Sequence, residues 1–292
     1  MILLDGKKIA SDIKEEIALE VAYLKAQDKK APHLAALIVG DNGASITYVN
    51  AKVKACERVD FESTLVRLPK QTTEKELLNE IAILNVDKDI NGFIVQLPLP
   101  DHIDQQKILM AIDPTKDVDG FHPINVGKLV LSLPTFISAT PFGILELLER
   151  YNIETSGKNV VVIGRSSIVG SPMSILLSQK RKTGNATVTL THSRTKNLAE
   201  LSKKADIVIA ALGKPEFLKA NMVKQGAVLI DVGISRVADT SKKNGYRLVG
   251  DIDFNAVKNK ASYISPVPGG VGPMTIAMLL KNTLLAYYRQ NA

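Results

Sequence analysis

Four short stretches hold residue types at spacings that suit chemistry. In Tyr48-Val-Asn-Ala-Lys52, the tyrosine and the lysine are four apart, so a helix carries both on one face. A ring beside an ammonium is a stacking platform next to a proton-transfer group, and a desolvated lysine moves its pKa toward the working range of an acid–base catalyst. The plainer reading is a surface helix. In Gly92-Phe-Ile-Val-Gln96-Leu-Pro-Leu-Pro100, a glutamine ends an apolar strand, the place where ligands bind in open α/β sheets. The alternative is a polar strand end satisfied by backbone. Asp113 to Pro123 carries alternating aspartates, Asp117 and Asp119 among them. Its calcium-loop register fails: with Gly120 as the turn glycine, the twelfth position is Val126, not Glu. What remains is a tight turn, or a carboxylate that accepts hydrogen bonds from a ligand's N–H groups.

The fourth stretch is Gly164-Arg-Ser-Ser-Ile-Val-Gly170. Its spacing is not G-x-G-x-x-G, but it joins an apolar strand to a helix start, where phosphates are favoured. The next strand ends in Thr191-His-Ser193-Arg194-Thr195, without the acid that an NAD-specific site places there. Hydroxyls and an arginine suit a 2′-phosphate and therefore NADP, and Arg165 is a second candidate for that contact. The run Pro266-Val-Pro268-Gly269-Gly270-Val-Gly-Pro lacks the polarity of a solvated linker, and its glycines permit close approach to a flat ligand ring.

Elements to position these groups are legible around them. Apolar residues at 9, 13, 17, 21 and 24 predict a helix over 7–26. Strands are expected at 34–39, 63–68 and 93–97, with a helix N-capped by Ser45 to about Arg58 and a capping-box helix from Thr73 to about Leu84. Strands at 159–163, 187–191, 206–210 and 228–231 alternate with helical patterns, one of them through about Gln179. That alternation means a parallel, doubly wound sheet. A last helix is expected over about 275–288.

The chain has 292 residues and a net charge of +7, divided as −4 over residues 1–138 and +11 over 139–292. That asymmetry suggests that the second half meets anions, either a phosphorylated cofactor or nucleic acid. The absence of tryptophan, the 5% aromatic content and the lack of any nucleic-acid motif argue against the latter. One cysteine, Cys56, excludes a disulfide framework and a cysteine metal cluster, so no metal is expected. No stretch approaches 18 apolar residues, and the first residues lack a signal-peptide pattern, so a cytoplasmic protein that does not cross a membrane is expected.

TYVNAKVKAC at 47–56, the glutamate-rich helix through NGFIVQLPLP at 74–100, KDVDGFHPINVG at 116–127, GRSSIVGSPM at 164–173 and PGGVGPMTI at 268–276 occur in one order. With them the sequence resembles the bifunctional methylenetetrahydrofolate dehydrogenase/methenyltetrahydrofolate cyclohydrolase family over essentially its whole length. One departure is Asp60-Phe61, where that family usually has glycine and isoleucine. The resemblance implies two α/β domains with a cleft between them, the second Rossmann-like. The domains would be 1–138, which binds folate, and 139–274, which binds NADP, with the helix of about 275–292 packing back on the first. It implies NADP-dependent oxidation of 5,10-methylenetetrahydrofolate, then hydrolysis to 10-formyltetrahydrofolate, by a homodimer. By motif, Lys52 is the acid/base of hydrolysis, Tyr48 stacks on folate, Gln96 orients Lys52 and Asp119 anchors the pterin. Pro268, Gly269 and Gly270 also meet substrate, while Gly164, Arg165, Ser166, Ser193, Arg194 and Ile234 meet NADP. Another dehydrogenase on the same fold, such as a shikimate type, would carry a basic clamp for a substrate carboxylate in place of Tyr48 and Lys52.

Overall fold

A computed structural model describes residues 1–242 and 245–292. In chain order the first elements are β1 (Ile2–Leu3), α1 (Gly6–Lys25), β2 (His33–Val39), α2 (Gly43–Arg58), β3 (Glu62–Leu68), α3 (Glu74–Val86), β4 (Gly92–Val95), α4 (Gln105–Ala111), α5 (Pro123–Val130) and α6 (Ala139–Arg150). Then come β5 (Asn159–Ile163), α7 (Gly170–Ser178), β6 (Thr187–Thr191), α8 (Leu198–Lys203), β7 (Ile207–Ala210), β8 (Val228–Asp231), β9 (Ser235–Ala238), β10 (Tyr246–Val249), α9 (Phe254–Val257), β11 (Tyr263–Ile264) and α10 (Val271–Gln290). The chain divides into two compact units, Ser11–Ala139 with Ile276–Ala292, and Met1–Ala10 with Thr140–Thr275.

The unit of Ser11–Ala139 and Ile276–Ala292 is built on a parallel three-stranded sheet, ordered β3-β2-β4. β2 lies in the middle, and all its residues after His33 are buried, which explains its unbroken apolar run. Leu37, Val39 and Phe93 pack with Leu77, Ile81 and Leu84 of α3. The capping box of α3 forms: Glu76 N donates to Thr73 Oγ1 and Thr73 N to the Glu76 carboxylate. α2, by contrast, is capped by Asn42 rather than Ser45. The Asn42 Oδ1 accepts from Ala44 and Ser45 N–H, so the helix starts at Gly43. β4 ends at Val95, two residues short of the expected Leu97, although Gln96 N still donates to Leu37 O. Residues 276–292 are tied in by polar contacts: Asn282 donates to Val118 O and Ile137 O, and Gln290 to Asn91 O.

The other unit carries a parallel six-stranded sheet, ordered β1-β11-β8-β7-β5-β6. Strand order reverses at β5, whose neighbours are β6 and β7, and such a reversal opens a ligand crevice at the C-terminal strand ends. The doubly wound α/β expectation holds. β9 and β10 form a separate antiparallel hairpin that the sequence reading missed. The compact units divide differently from the expected first domain of 1–138 at its start. β1 pairs with β11, 261 residues away at Ile2↔Tyr263, so Met1–Ala10 belongs with the six-stranded sheet. α10 starts at Val271, before the expected 275. Among the described residues, no helix is long and apolar enough to cross a membrane.

Candidate functional site

Lys52 sits on α2 with only 8% of its surface exposed. Its Nζ donates to Gln96 Oε1 at 3.2 Å, and Gln96 Nε2 donates to Leu97 O at 2.7 Å, which fixes which end of the amide faces the lysine. Burial lowers the Lys52 pKa, and the negative charge of Asp119 opposes that shift. Burial likewise raises the Asp119 pKa, against the pull of Lys52. Asp119 is carried here because its loop runs beside β4, with Asp117 opposite Phe93 in parallel. That approach requires Gly92, where a Cβ would lie 2.2 Å from Val118 Cγ1. Tyr48, one turn before Lys52 on α2, is exposed, and Lys54 is exposed too. The structure thus joins Lys52, Gln96 and Asp119 in one unit, beside a tyrosine ring open to a ligand. A lysine taken out of water and held by an amide oxygen is suited to accept and return a proton.

Asp117, a neighbour of Asp119, turns inward instead. It accepts hydrogen bonds from Phe121 N, His122 N and Asn125 Nδ2, and burial pushes its pKa up to about 6. Of the alternating aspartates, Asp117 therefore builds the turn. Among the described residues, no cluster of His, Cys, Asp or Glu could hold a metal ion.

In the six-stranded unit, the candidate cofactor residues all follow C-terminal strand ends: Gly164, Arg165 and Ser166 after β5, Ser193 and Arg194 after β6, and Ile234 after β8. Arg165, Ser166, Ser193, Arg194 and Ile234 are exposed. Gly164 has φ +113°, and a Cβ there would lie 2.0 Å from Ala211 O. A Cβ on Gly170 would lie 1.9 Å from Gly164 O. Only glycines allow this tight passage from strand to helix at the start of α7. Ser166 Oγ closes the turn by accepting from Val169 N at 3.1 Å and Gly170 N at 3.4 Å. With the cationic, hydroxyl-bearing end of β6 beside it, this edge fits a dinucleotide with a 2′-phosphate.

Pro268, Gly269 and Gly270 also lie in this unit. Gly269 O accepts from Lys7 N, and a Cβ on Gly6 would lie 1.8 Å from Gly270 O. Close backbone packing against the start of α1 thus explains these glycines in part, while Pro268 stays exposed. The sequence reading missed Asp231 and Asp251, two buried carboxylates behind the same strand ends. Asp251 directly follows Gly250 after an apolar pair, and Asp231 ends an apolar run two residues before Gly233; these patterns were the available signal.

Fold and site geometry together define a two-unit α/β protein with a dinucleotide-binding type of sheet in one unit and, in the other, a buried lysine grouped with an amide and a carboxylate. Comparison with known proteins gives the family. Residues 4–119 match the tetrahydrofolate dehydrogenase/cyclohydrolase catalytic domain, and residues 138–291 match the tetrahydrofolate dehydrogenase/cyclohydrolase NAD(P)-binding domain. The chain belongs to the tetrahydrofolate dehydrogenase/cyclohydrolase family, as its motifs suggested. It is 68% identical over 286 residues to the bifunctional protein FolD of Flavobacterium psychrophilum, covering 98% of this chain and 97% of that one. The FolD methylenetetrahydrofolate dehydrogenase/cyclohydrolase of Campylobacter jejuni superposes with a TM-score of 0.93 at 47% identity, covering 99% of each chain. The Trypanosoma brucei methylenetetrahydrofolate dehydrogenase-cyclohydrolase, solved with NADP cofactor and an inhibitor, gives 0.93 at 41% identity, covering 99% of this chain and 97% of that one.

Proposed function

We propose that this chain oxidises 5,10-methylenetetrahydrofolate to 5,10-methenyltetrahydrofolate with NADP⁺, and then hydrolyses the product to 10-formyltetrahydrofolate. The observation that carries this reading is the buried Lys52, bonded to Gln96 and within the field of Asp119, in a chain of this family. NADP⁺, when bound, supplies the hydride acceptor. Gly164, Arg165, Ser166, Ser193, Arg194 and Ile234 would hold it, with Arg165 and Arg194 as the partners of its 2′-phosphate. The adjacent folate nitrogens supply the electron density that hydride departure demands, so this step asks the protein for positioning rather than for a base.

Hydrolysis does need a base. Tyr48 stacks against the folate and Asp119 accepts N–H groups of the pterin, which orients the methenyl carbon toward Lys52. The Lys52 amine takes a proton from the attacking water as the C–O bond forms. It returns a proton to N5 as the C–N5 bond breaks, leaving the formyl group on N10. The second water proton is lost to solvent as the hydroxyl becomes the carbonyl. Gln96 keeps the Nζ on station through both transfers. Pro268, Gly269 and Gly270 are read as further substrate contacts. The protein is read as a homodimer on the strength of its motif resemblance, which sedimentation of the purified protein tests.

The decisive assay supplies purified protein with 5,10-methylenetetrahydrofolate and either NADP⁺ or NAD⁺, and follows reduced cofactor and methenyl absorbance. NADPH should form and the methenyl absorbance should rise and decay. kcat/KM should favour NADP⁺ by about 10–100-fold, the worth of one or two charge-assisted hydrogen bonds. No NADPH would refute the reaction, and equal values for the two cofactors would refute the assignment of the 2′-phosphate.

A further inference from the structure

Asp231 and Asp251 are 4% and 0% exposed, and among the described residues neither has a Lys or Arg ion-pair partner. Asp231 closes β8. Its Oδ1 accepts from Gly233 N at 3.1 Å and Asp251 N at 2.8 Å, and its Oδ2 from Ile252 N at 2.9 Å. Asp251 Oδ2 accepts from Leu212 N at 2.7 Å and Gly213 N at 2.9 Å. Asp251 Oδ1 is wholly buried and has no hydrogen-bond partner. The surrounding backbone is pressed onto both groups. A Cβ on Gly233 would lie 2.3 Å from Asp251 Oδ1, and one on Gly250 would lie 1.9 Å from Asp231 Oδ2.

Two carboxylates without a cation are an expensive way to fill a core, and apolar side chains would fill it at lower cost. What apolar side chains cannot do is accept five backbone N–H groups from three separate segments. Two of those segments are the turns that leave β7 and β8 at the C-terminal edge of the sheet. One of them runs directly into Ile234, which is half-exposed.

We propose that Asp231 and Asp251 are positioning residues for the dehydrogenase reaction: as a coupled pair they set the backbone at 212–213 and 233–234 against which NADP lies. The pair touches neither reacting atom. Its role rests on the reading that NADP occupies the Gly164–Ile234 edge. Because Asp251 Oδ1 receives no donor, a neutral side chain at 251 that still offers one oxygen to Leu212 and Gly213 preserves the arrangement. Asparagine is such a side chain, its amide nitrogen then taking the place of Asp251 Oδ1. Leucine keeps a branched shape but is larger and offers no acceptor.

The test compares wild type, Asp251→Leu, Asp251→Asn and Asp231→Asn in the full chain. It measures NADP⁺ affinity by calorimetry and amide exchange with and without NADP⁺. Strands β5 and β7 report whether each variant is folded. Asp251→Leu should weaken NADP⁺ binding by about tenfold or more, from two unpartnered N–H groups. It should also speed exchange at 212–213 and 233–234. Asp251→Asn should bind within about threefold of wild type, a rescue that mere loss of packing would not produce. Wild-type affinity in folded Asp251→Leu overturns the proposal, as does equal loss in Asp251→Leu and Asp251→Asn. If Asp251→Leu does not fold, Asp231→Asn decides. Its amide opposes a donor to Ile252 N, so NADP⁺ affinity should fall, and unchanged affinity overturns the proposal. Absence of NADP⁺ protection at 233–234 in the wild type is a distinct result: it refutes the placement of the cofactor itself, before any variant is considered.

Discussion

In the proposed mechanism Lys52 serves as the base because its ammonium is withdrawn from water. That withdrawal costs folding energy: a lysine whose folded pKa lies below its unfolded value binds fewer protons in the native state, so it subtracts stability at neutral pH. Lys52→Met should therefore lower methenyl hydrolysis by about 10²–10⁴-fold, the usual worth of acid–base catalysis, with NADP⁺ affinity unchanged. The same variant should unfold at a higher denaturant concentration than wild type. Full hydrolysis in folded Lys52→Met refutes the assignment. Asp119 acts on the lysine through its charge, which raises the Lys52 pKa. Asp119→Asn removes that charge, so the rising limb of the hydrolysis pH profile should move to lower pH. On the proposed role of Asp119 as the pterin's anchor, the rate should fall as well. A limb that stays in place or moves alkaline shows that the two groups are not coupled.

At the scale of elements, the turn that ends α2 explains the one visible departure from the family pattern. Asp60 has φ +61°, the left-handed region that glycine adopts without cost. Here the aspartate is accommodated by a local turn, with Asp60 N donating to Glu57 O and Phe61 N to Cys56 O, and by an ion pair to Lys25. Phe61 is buried and extends the core. That ion pair is largely exposed, so it offsets little of the backbone strain. Asp60→Gly should be stabilising by about 0.5–1 kcal/mol in denaturant titration, without effect on either activity. A destabilised Asp60→Gly would mean that the ion pair outweighs the strain.

At the scale of the whole molecule, burial raises carboxyls above their ordinary range, among them Asp117 to about 6 and Asp231 to about 7. The native state then holds protons that the unfolded chain has already released between about pH 4 and pH 7, so stability falls as pH rises through that interval. The denaturation midpoint should drop from pH 5 to pH 7.5. Asp117→Asn combined with Asp231→Asn should flatten that drop, because asparagine does not titrate. A midpoint that rises over this interval would show that other carboxylates dominate. The +7 net charge belongs to the same scale: its excess lies in residues 139–292, which include the edge where Arg165 and Arg194 stand.

Local pattern was enough for much of this molecule. The apolar run of β2, the capping box of α3, the alternation of β5 to β8 and the four-residue spacing of Tyr48 and Lys52 are all written within short windows, because strand and helix periods repeat within a few residues. The five ordered motifs were enough for the family. Tertiary structure alone decided the rest. It paired Ile2 with Tyr263, moving the first ten residues to the other unit, and it turned Asp117 into the core while leaving Asp119 beside Lys52. It also buried Asp231 against Asp251. Each of these outcomes depends on which segments, far apart in the chain, come to share hydrogen bonds and exclude water, and neither periodicity nor spacing records that choice.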